Sequence, residues 1–134
     1  VLTAASLSTQ QVAGLTATAL DRLTTTQIGT LDAGQFRAIT PGALDSLDTS
    51  IFSGLNATQA GALTSAQVAA LSTTNFAALN ETTGIPSLAT SAIAGITTDQ
   101  IVALSSTQAN AFTTSQIGLM SSDQLTALII ASNA

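Results

Sequence analysis

Cysteine, histidine, tryptophan, tyrosine and lysine are all missing from this 134-residue chain, and each absence closes off a chemistry. Without cysteine there is no disulfide, and without cysteine or histidine there is no thiolate or imidazole to serve as nucleophile, general base or metal ligand. Charge is scarce as well: Arg22 and Arg37 are the two cations, set against six aspartates and Glu81, for a net charge of −5. Two cations cannot neutralise a phosphate backbone, which argues against nucleic acid as a partner. The most apolar stretch, residues 125–131, falls well short of the roughly 20 residues that a membrane span needs. No basic n-region leads into an apolar h-region, and the chain starts in mid-pattern at Val1-Leu2, as a processed or excised form would. Disorder is disfavoured too, since 46% hydrophobic and 7% charged residues are the reverse of a disordered composition.

What fills the chain is a repeat. From Leu7 an aliphatic residue returns every eight positions, at Leu15, Leu23, Leu31, Ile39, Leu47, Leu55, Leu63, Leu71 and Leu79. One extra residue in the unit 79–87 shifts the phase, which resumes at Leu88, Ile96, Leu104, Phe112, Met120 and Leu128. The consensus L-[ST]-x-x-Q-[IV]-x-A is clearest in units 63–70 and 96–103, and the regular units span 7–127. Residues 1–134 read as a single repeat domain.

The chemistry of each octad position says what it folds into. In the fifteen units starting between 7 and 120, the second residue is Ser, Thr, Asp or Asn except at Ala89. These are the side chains that cap a helix N-terminus. Three positions later nine units carry glutamine: Gln11, Gln27, Gln35, Gln59, Gln67, Gln100, Gln108, Gln116 and Gln124. Ser/Thr-x-x-Gln is the capping box, and the apolar residues before the cap and after the glutamine are the two ends of a hydrophobic staple. A helix that restarts every eight residues holds about six residues, too few to stand alone. One cap contributes roughly 1 kcal/mol, while ordering eight residues costs on the order of 8 to 16 kcal/mol. Burial of the apolar rows against neighbouring units has to make up the difference, which is the logic of a solenoid. The expected fold is therefore all-α, a superhelix of very short capped helices with one helix per octad. Small residues at the eighth position, such as Gly14, Gly54, Ala62, Ala70 and Gly95, would let units approach closely. A β-solenoid is the rival, since Thr and Ile favour strands, but the apolar spacing alternates five and three and does not follow a period of two.

The remaining features have plain readings. Gly84 and Pro86 should break the helix of the nine-residue unit, most simply as an insertion on the outer face. Asn56-Ala57-Thr58 and Asn80-Glu81-Thr82 match the glycosylation sequon, but both asparagines fall on the cap row. Asp32 and Asp48 are caps, Asp99 and Asp123 lie in first helical turns, and Asp45 with Asp48 reads as a solvated pair. No base stands near any serine, so no catalytic residue, cofactor or metal site is expected.

The octads resemble the low-complexity repeat tracts of large bacterial surface and secreted proteins of adhesin-like or haem-utilisation-like type. That resemblance covers residues 7–127 and implies an extracellular or cell-surface, structural or adhesive setting. A haem role has no ligand here beyond Met120. Residues 96–106 also resemble the start of a TAL-effector repeat, although the longer period, the base-reading loop and the basic residues are missing.

The expected function is a non-catalytic structural protein that assembles with itself, head to tail, into a filament. Its joint is expected at the apolar extremes, Val1 and Leu2 against Leu125, Leu128, Ile129 and Ile130, with the last unit fraying freely. The alternative is a solenoid that binds a surface such as polysaccharide or ice through regular hydroxyls, at Thr24-Thr25, Ser72-Thr73, Thr97-Thr98, Ser105-Ser106, Thr113-Thr114 and Ser121-Ser122.

Overall fold

The structure, a computed structural model, describes residues 6–134, so Val1 and Leu2 lie outside the described residues. Thirteen short α-helices follow one another among them. They are α1 (Thr9–Ala13), α2 (Ala17–Asp21), α3 (Thr25–Gly29), α4 (Ala33–Ala38), α5 (Pro41–Asp45), α6 (Thr49–Ser53), α7 (Ala57–Ala62), α8 (Ser65–Ala70) and α9 (Thr73–Phe76). After two 3-10 segments, Ile85–Ser87 and Thr90–Gly95, come α10 (Thr98–Val102), α11 (Ser106–Ala109), α12 (Thr114–Ile117) and α13 (Ser122–Ser132). No strand occurs among the described residues, which sets aside the β alternative.

Caps start these helices where the octad pattern puts them. Ser8, Thr16, Thr24, Asp32, Asn56, Thr64, Ser72, Thr97, Ser105, Thr113 and Ser121 each accept a hydrogen bond from the backbone N–H three residues on. In the units of Gln11, Gln27, Gln35, Gln67, Gln100, Gln108, Gln116 and Gln124 the glutamine side chain also accepts from the cap's N–H, which closes the capping box. Asn56 and Gln59 make only the first of these two bonds. Thr40 makes no side-chain cap, and Pro41 begins α5 in its place. The unit that lacks a capping residue, at Ala89, is also one that forms a 3-10 segment and no α-helix.

Two rows of side chains point inward. One is the first octad position, buried from Leu31 through Leu128; the other is the sixth, with Phe36, Phe52, Phe76, Leu44, Ile93 and Ile101 fully covered. Successive helices do not pack mainly on their sequence neighbours. Each lies against the helix three octads away: α1 on α4, α2 on α5, α4 on α7, α5 on α8, α6 on α9, and α8 on the segment Thr90–Gly95. Three octads therefore make one tier, and the next tier lies on it. The eighth position is less uniform than expected: Ala62 and Ala127 are buried, whereas Gly54 and Ala70 are exposed. Only Gly95 is indispensable there, because a Cβ at that position would sit 2.1 Å from the Ser65 carbonyl oxygen.

The nine-residue unit breaks its helix as expected. Asn80 Oδ1 accepts from the N–H groups of Thr82 and Thr83 at 2.7 and 3.1 Å, and Glu81, Thr82 and Thr83 are exposed. A Cβ on Gly84 would lie 2.8 Å from the backbone N and O of Asn80, and Ile85 next to it is fully buried.

The far end departs from the expected frayed unit. Leu128 is followed by Ile129 and not by a capping residue, so nothing restarts the helix, and α13 runs on for 11 residues. It packs on both α10 and α11.

Candidate functional site

The glutamines do more than close capping boxes. A glutamine amide offers an oxygen and two N–H groups, and the capping box uses the oxygen alone. The Nε2 group then reaches across to the tier before. Gln67 Nε2 donates to the carbonyls of Phe36, Arg37 and Ile39 at 3.0, 3.2 and 2.7 Å. Gln100 donates to Val68 and Leu71 at 2.7 and 2.8 Å, and Gln124 to Ile93 and Ile96 at 2.8 Å each. Gln35, Gln59, Gln108 and Gln116 make the equivalent bonds to Leu7, Leu31, Leu79 and Leu88. The common acceptor is the carbonyl of the first residue in the octad three units earlier. These carbonyls belong to helix ends that lack intrahelical partners, so one side chain satisfies orphan groups of two helices in two tiers.

Where glutamine is replaced, other residues make the same stitch. Asn75 is one carbon too short to reach back to its own cap and donates from Nδ2 to the carbonyl and the carboxylate of Asp45, at 2.9 and 3.0 Å. The Asp45 carboxylate takes over the missing half of the box by accepting from the Ser72 N–H at 2.7 Å. Asp45 is thus not half of a solvated pair with Asp48, but a ligand for the next tier. In the nine-residue unit Thr83 Oγ1 donates to the Leu55 carbonyl at 3.3 Å. No buried side-chain nitrogen or oxygen among the described residues is left without a partner.

Gln67 and Gln100 are 1% exposed, far more buried than a capping role alone requires. The signal was present in the donor count, since an amide whose oxygen caps a helix on an apolar face has two N–H groups still to place.

The stitch is absent in the first tier. Gln11 and Gln27 close their own boxes at the Ser8 and Thr24 N–H, but their Nε2 groups donate to no carbonyl among the described residues. Leu7, Leu15 and Leu23 are correspondingly half-buried, where their counterparts from Leu31 onward are covered. Of the residues expected at a joint, Leu128 is buried in the chain's own core and Leu125 packs against it half-buried. Ile129 and Ile130 are 62% and 58% exposed, and Leu119, which the sequence reading had not singled out, is 56% exposed.

The hydroxyl pairs divide as expected. Thr24, Ser72, Thr97, Ser105, Thr113 and Ser121 are engaged as caps. The three-octad packing then aligns the position after the cap along one face of the stack, where α3, α6, α9, α10 and α13 begin with Thr25, Thr49, Thr73, Thr98 and Ser122, all exposed. Asp48, at the head of α6, is held below the ordinary carboxylate value of 3.8, chiefly by the Ser50 backbone N–H at 2.9 Å. Among the described residues no three acidic side chains gather to hold a metal, and no helix is long and apolar enough to cross a membrane. No family model, curated protein or solved structure matches the chain.

Proposed function

We propose that this chain is a non-catalytic structural protein, an α-solenoid with three octads per turn that assembles head to tail into an extracellular or cell-surface fibre. The observation that supports the reading is exposed apolar surface on a chain of few charges: Leu119, Ile129 and Ile130 stand exposed, and Leu7, Leu15 and Leu23 are half-buried. Head-to-tail contacts that do not close on themselves generate filaments, and few charges keep subunits from repelling one another. The extracellular setting comes from the likeness to bacterial surface repeats. Light scattering and electron microscopy of the purified protein test the reading. The native chain should elongate with concentration, whereas Ile129→Asp combined with Ile130→Asp should keep the helical circular dichroism and stop elongation. A native chain that stays monomeric at millimolar concentration overturns the proposal, and a double variant that still polymerises moves the joint away from α13.

The aligned hydroxyls favour a second reading, a module that binds an extended surface such as a polysaccharide. Thr25, Thr49, Thr73, Thr98 and Ser122 form an uncharged row, and the helix spacing of roughly 8 to 10 Å sets its repeat. Glycan-array binding or freezing-point depression by the monomer, lost on Thr73→Val with Thr98→Val, would support it; absence of both activities removes it.

A further inference from the structure

We propose that Asn80 accepts an N-linked sugar from a glycosyl diphosphate donor, a site that rests on the cell-surface setting proposed above.

Two asparagines carry the hydroxyl residue two positions on that this modification requires, in Asn56-Ala57-Thr58 and in Asn80-Glu81-Thr82. The fold separates them. Asn56 Oδ1 accepts from the Gln59 N–H at 2.8 Å, and α7 starts at Ala57, so Thr58 already lies in a first helical turn. Seating Asn56 and Thr58 together in a transferase means unwinding that turn. Gln59 resists this, since it is buried and bonded to the Ile28 and Leu31 carbonyls. Asn80 caps no helix. The nine-residue unit forms a turn there, in which Asn80 Oδ1 accepts from the Thr82 N–H at 2.7 Å and ties the first residue of the sequon to the third. The main chain of the turn is held separately, by the Gly84 and Ile85 N–H groups on the Asn80 carbonyl at 2.9 Å each. Asn80 Nδ2 makes no hydrogen bond among the described residues, and neither does the Thr82 hydroxyl. Glu81, Thr82 and Thr83 are exposed. Acceptor nitrogen and recognition hydroxyl are thus both unused, on a segment that needs no unwinding.

In the transfer, Nδ2 bonds to the sugar C1 as the C1–O bond to the diphosphate breaks. The diphosphate leaves with the electron pair, and a base of the transferase takes one of the two amide protons. Oδ1 is untouched, so its bonds from Thr82 and Thr83 survive in the product. The unit sits in mid-stack: Thr83 Oγ1 donates to the Leu55 carbonyl of the tier before, and Gln108 of the tier after donates to the Leu79 carbonyl. A sugar here stands on the flank of the stack and not across its axis. It adds hydrated bulk to a chain with 7% charged residues and a mean hydropathy of +0.47.

Two donors test the site. The folded chain is incubated with a soluble N-glycosyltransferase and UDP-glucose; the chain behind a cleavable export signal is translated into microsomes, whose donor is a lipid-linked oligosaccharide diphosphate. Intact mass and peptide fragmentation should place a sugar on Asn80 in at least one sample, a hexose or an oligosaccharide identifying the donor. In the folded chain Asn56 should stay unmodified. Asn80→Asp keeps the oxygen that holds the turn and removes the nitrogen; it should abolish the sugar and leave circular dichroism and melting unchanged. Thr82→Ala should abolish the sugar at Asn80, Thr82→Ser should retain it, and Thr58→Ala should have no effect on it. An Asn80 without sugar in both samples overturns the site, as does a folded chain modified equally at Asn56; neither result touches the cell-surface setting. A chain that takes sugar at Asn80 but is never exported by its own cell keeps the site and overturns the setting.

Discussion

Two octads that lie directly against each other, 63–70 and 88–95, were built to different rules. The first has Thr64 at the cap and Gln67 at the stitch; the second has alanine at both places, Ala89 and Ala92. Thr64 and Gln67 close a capping box and open a true α-helix, whereas the alanine pair yields a 3-10 segment with no side-chain cap. Yet the inward residues, Val68 and Ile93, are equally buried. The difference separates two tasks. The cap decides which helix forms, and the apolar row decides where the octad sits. What the alanine octad loses in amide bonds it replaces with closeness, since Gly95 brings its backbone against Ser65 where no other residue would fit.

That contrast can be broken from either side. Gln67→Ala should have the largest effect, about 2 to 4 kcal/mol in urea unfolding, because it leaves the buried Ile39 carbonyl, the Arg37 carbonyl and the Thr64 N–H unpaired and the Phe36 carbonyl with only its bond from the Ile39 N–H. The same change at Gln11, which makes no cross-tier bond among the described residues, should cost no more than about 1 kcal/mol. Gly95→Ala comes next: the new methyl meets backbone and not a yielding side chain, and a loss of about 2 to 3 kcal/mol is expected by thermal melting. Ala89→Ser restores a cap to the alanine octad and should stabilise by about 0.5 to 1 kcal/mol, with a gain in helical circular dichroism. A null result there would mean that the close approach at Gly95 dictates the 3-10 geometry. The smallest effect belongs to Asp48. Its folded-state pKa lies below 3.8, so its contribution is complete above that value and is lost as the pH falls through the lower folded value. Asp48→Asn should flatten that acid limb in a melting series while leaving stability at pH 7 nearly unchanged.

Much of the fold was legible because cap, staple and period are all local signals. Thr64, Gln67 and Leu71 announce a helix start, a box and an inward row without reference to anything more than eight residues away. The three-octad packing was not legible, because the octad signature recurs along the chain and carries no mark of which unit it touches. The second use of the glutamines was hidden for a related reason. Gln67 next to Thr64 already had a sufficient local explanation, so its two N–H groups went uncounted. The terminal helix was readable and was misjudged: Leu128-Ile129 lacks the capping residue that would have stopped α13, and the helix continues accordingly.

The extra residue in unit 79–87 has a consequence for how such a chain keeps its place. Before it, stitches span 28 residues, as from Gln67 to Ile39; across it they span 29, from Gln100 to Leu71 and from Gln108 to Leu79; beyond it Gln116 to Leu88 spans 28 again. The misalignment lasts about one tier and is then erased. The chain does not measure its register by counting residues from a fixed origin. It reads register afresh at each tier from the layer beneath, as a growing crystal does, so a local error heals and is not passed on. A repeat of this kind can gain a residue, or whole octads, while every later unit stays in frame.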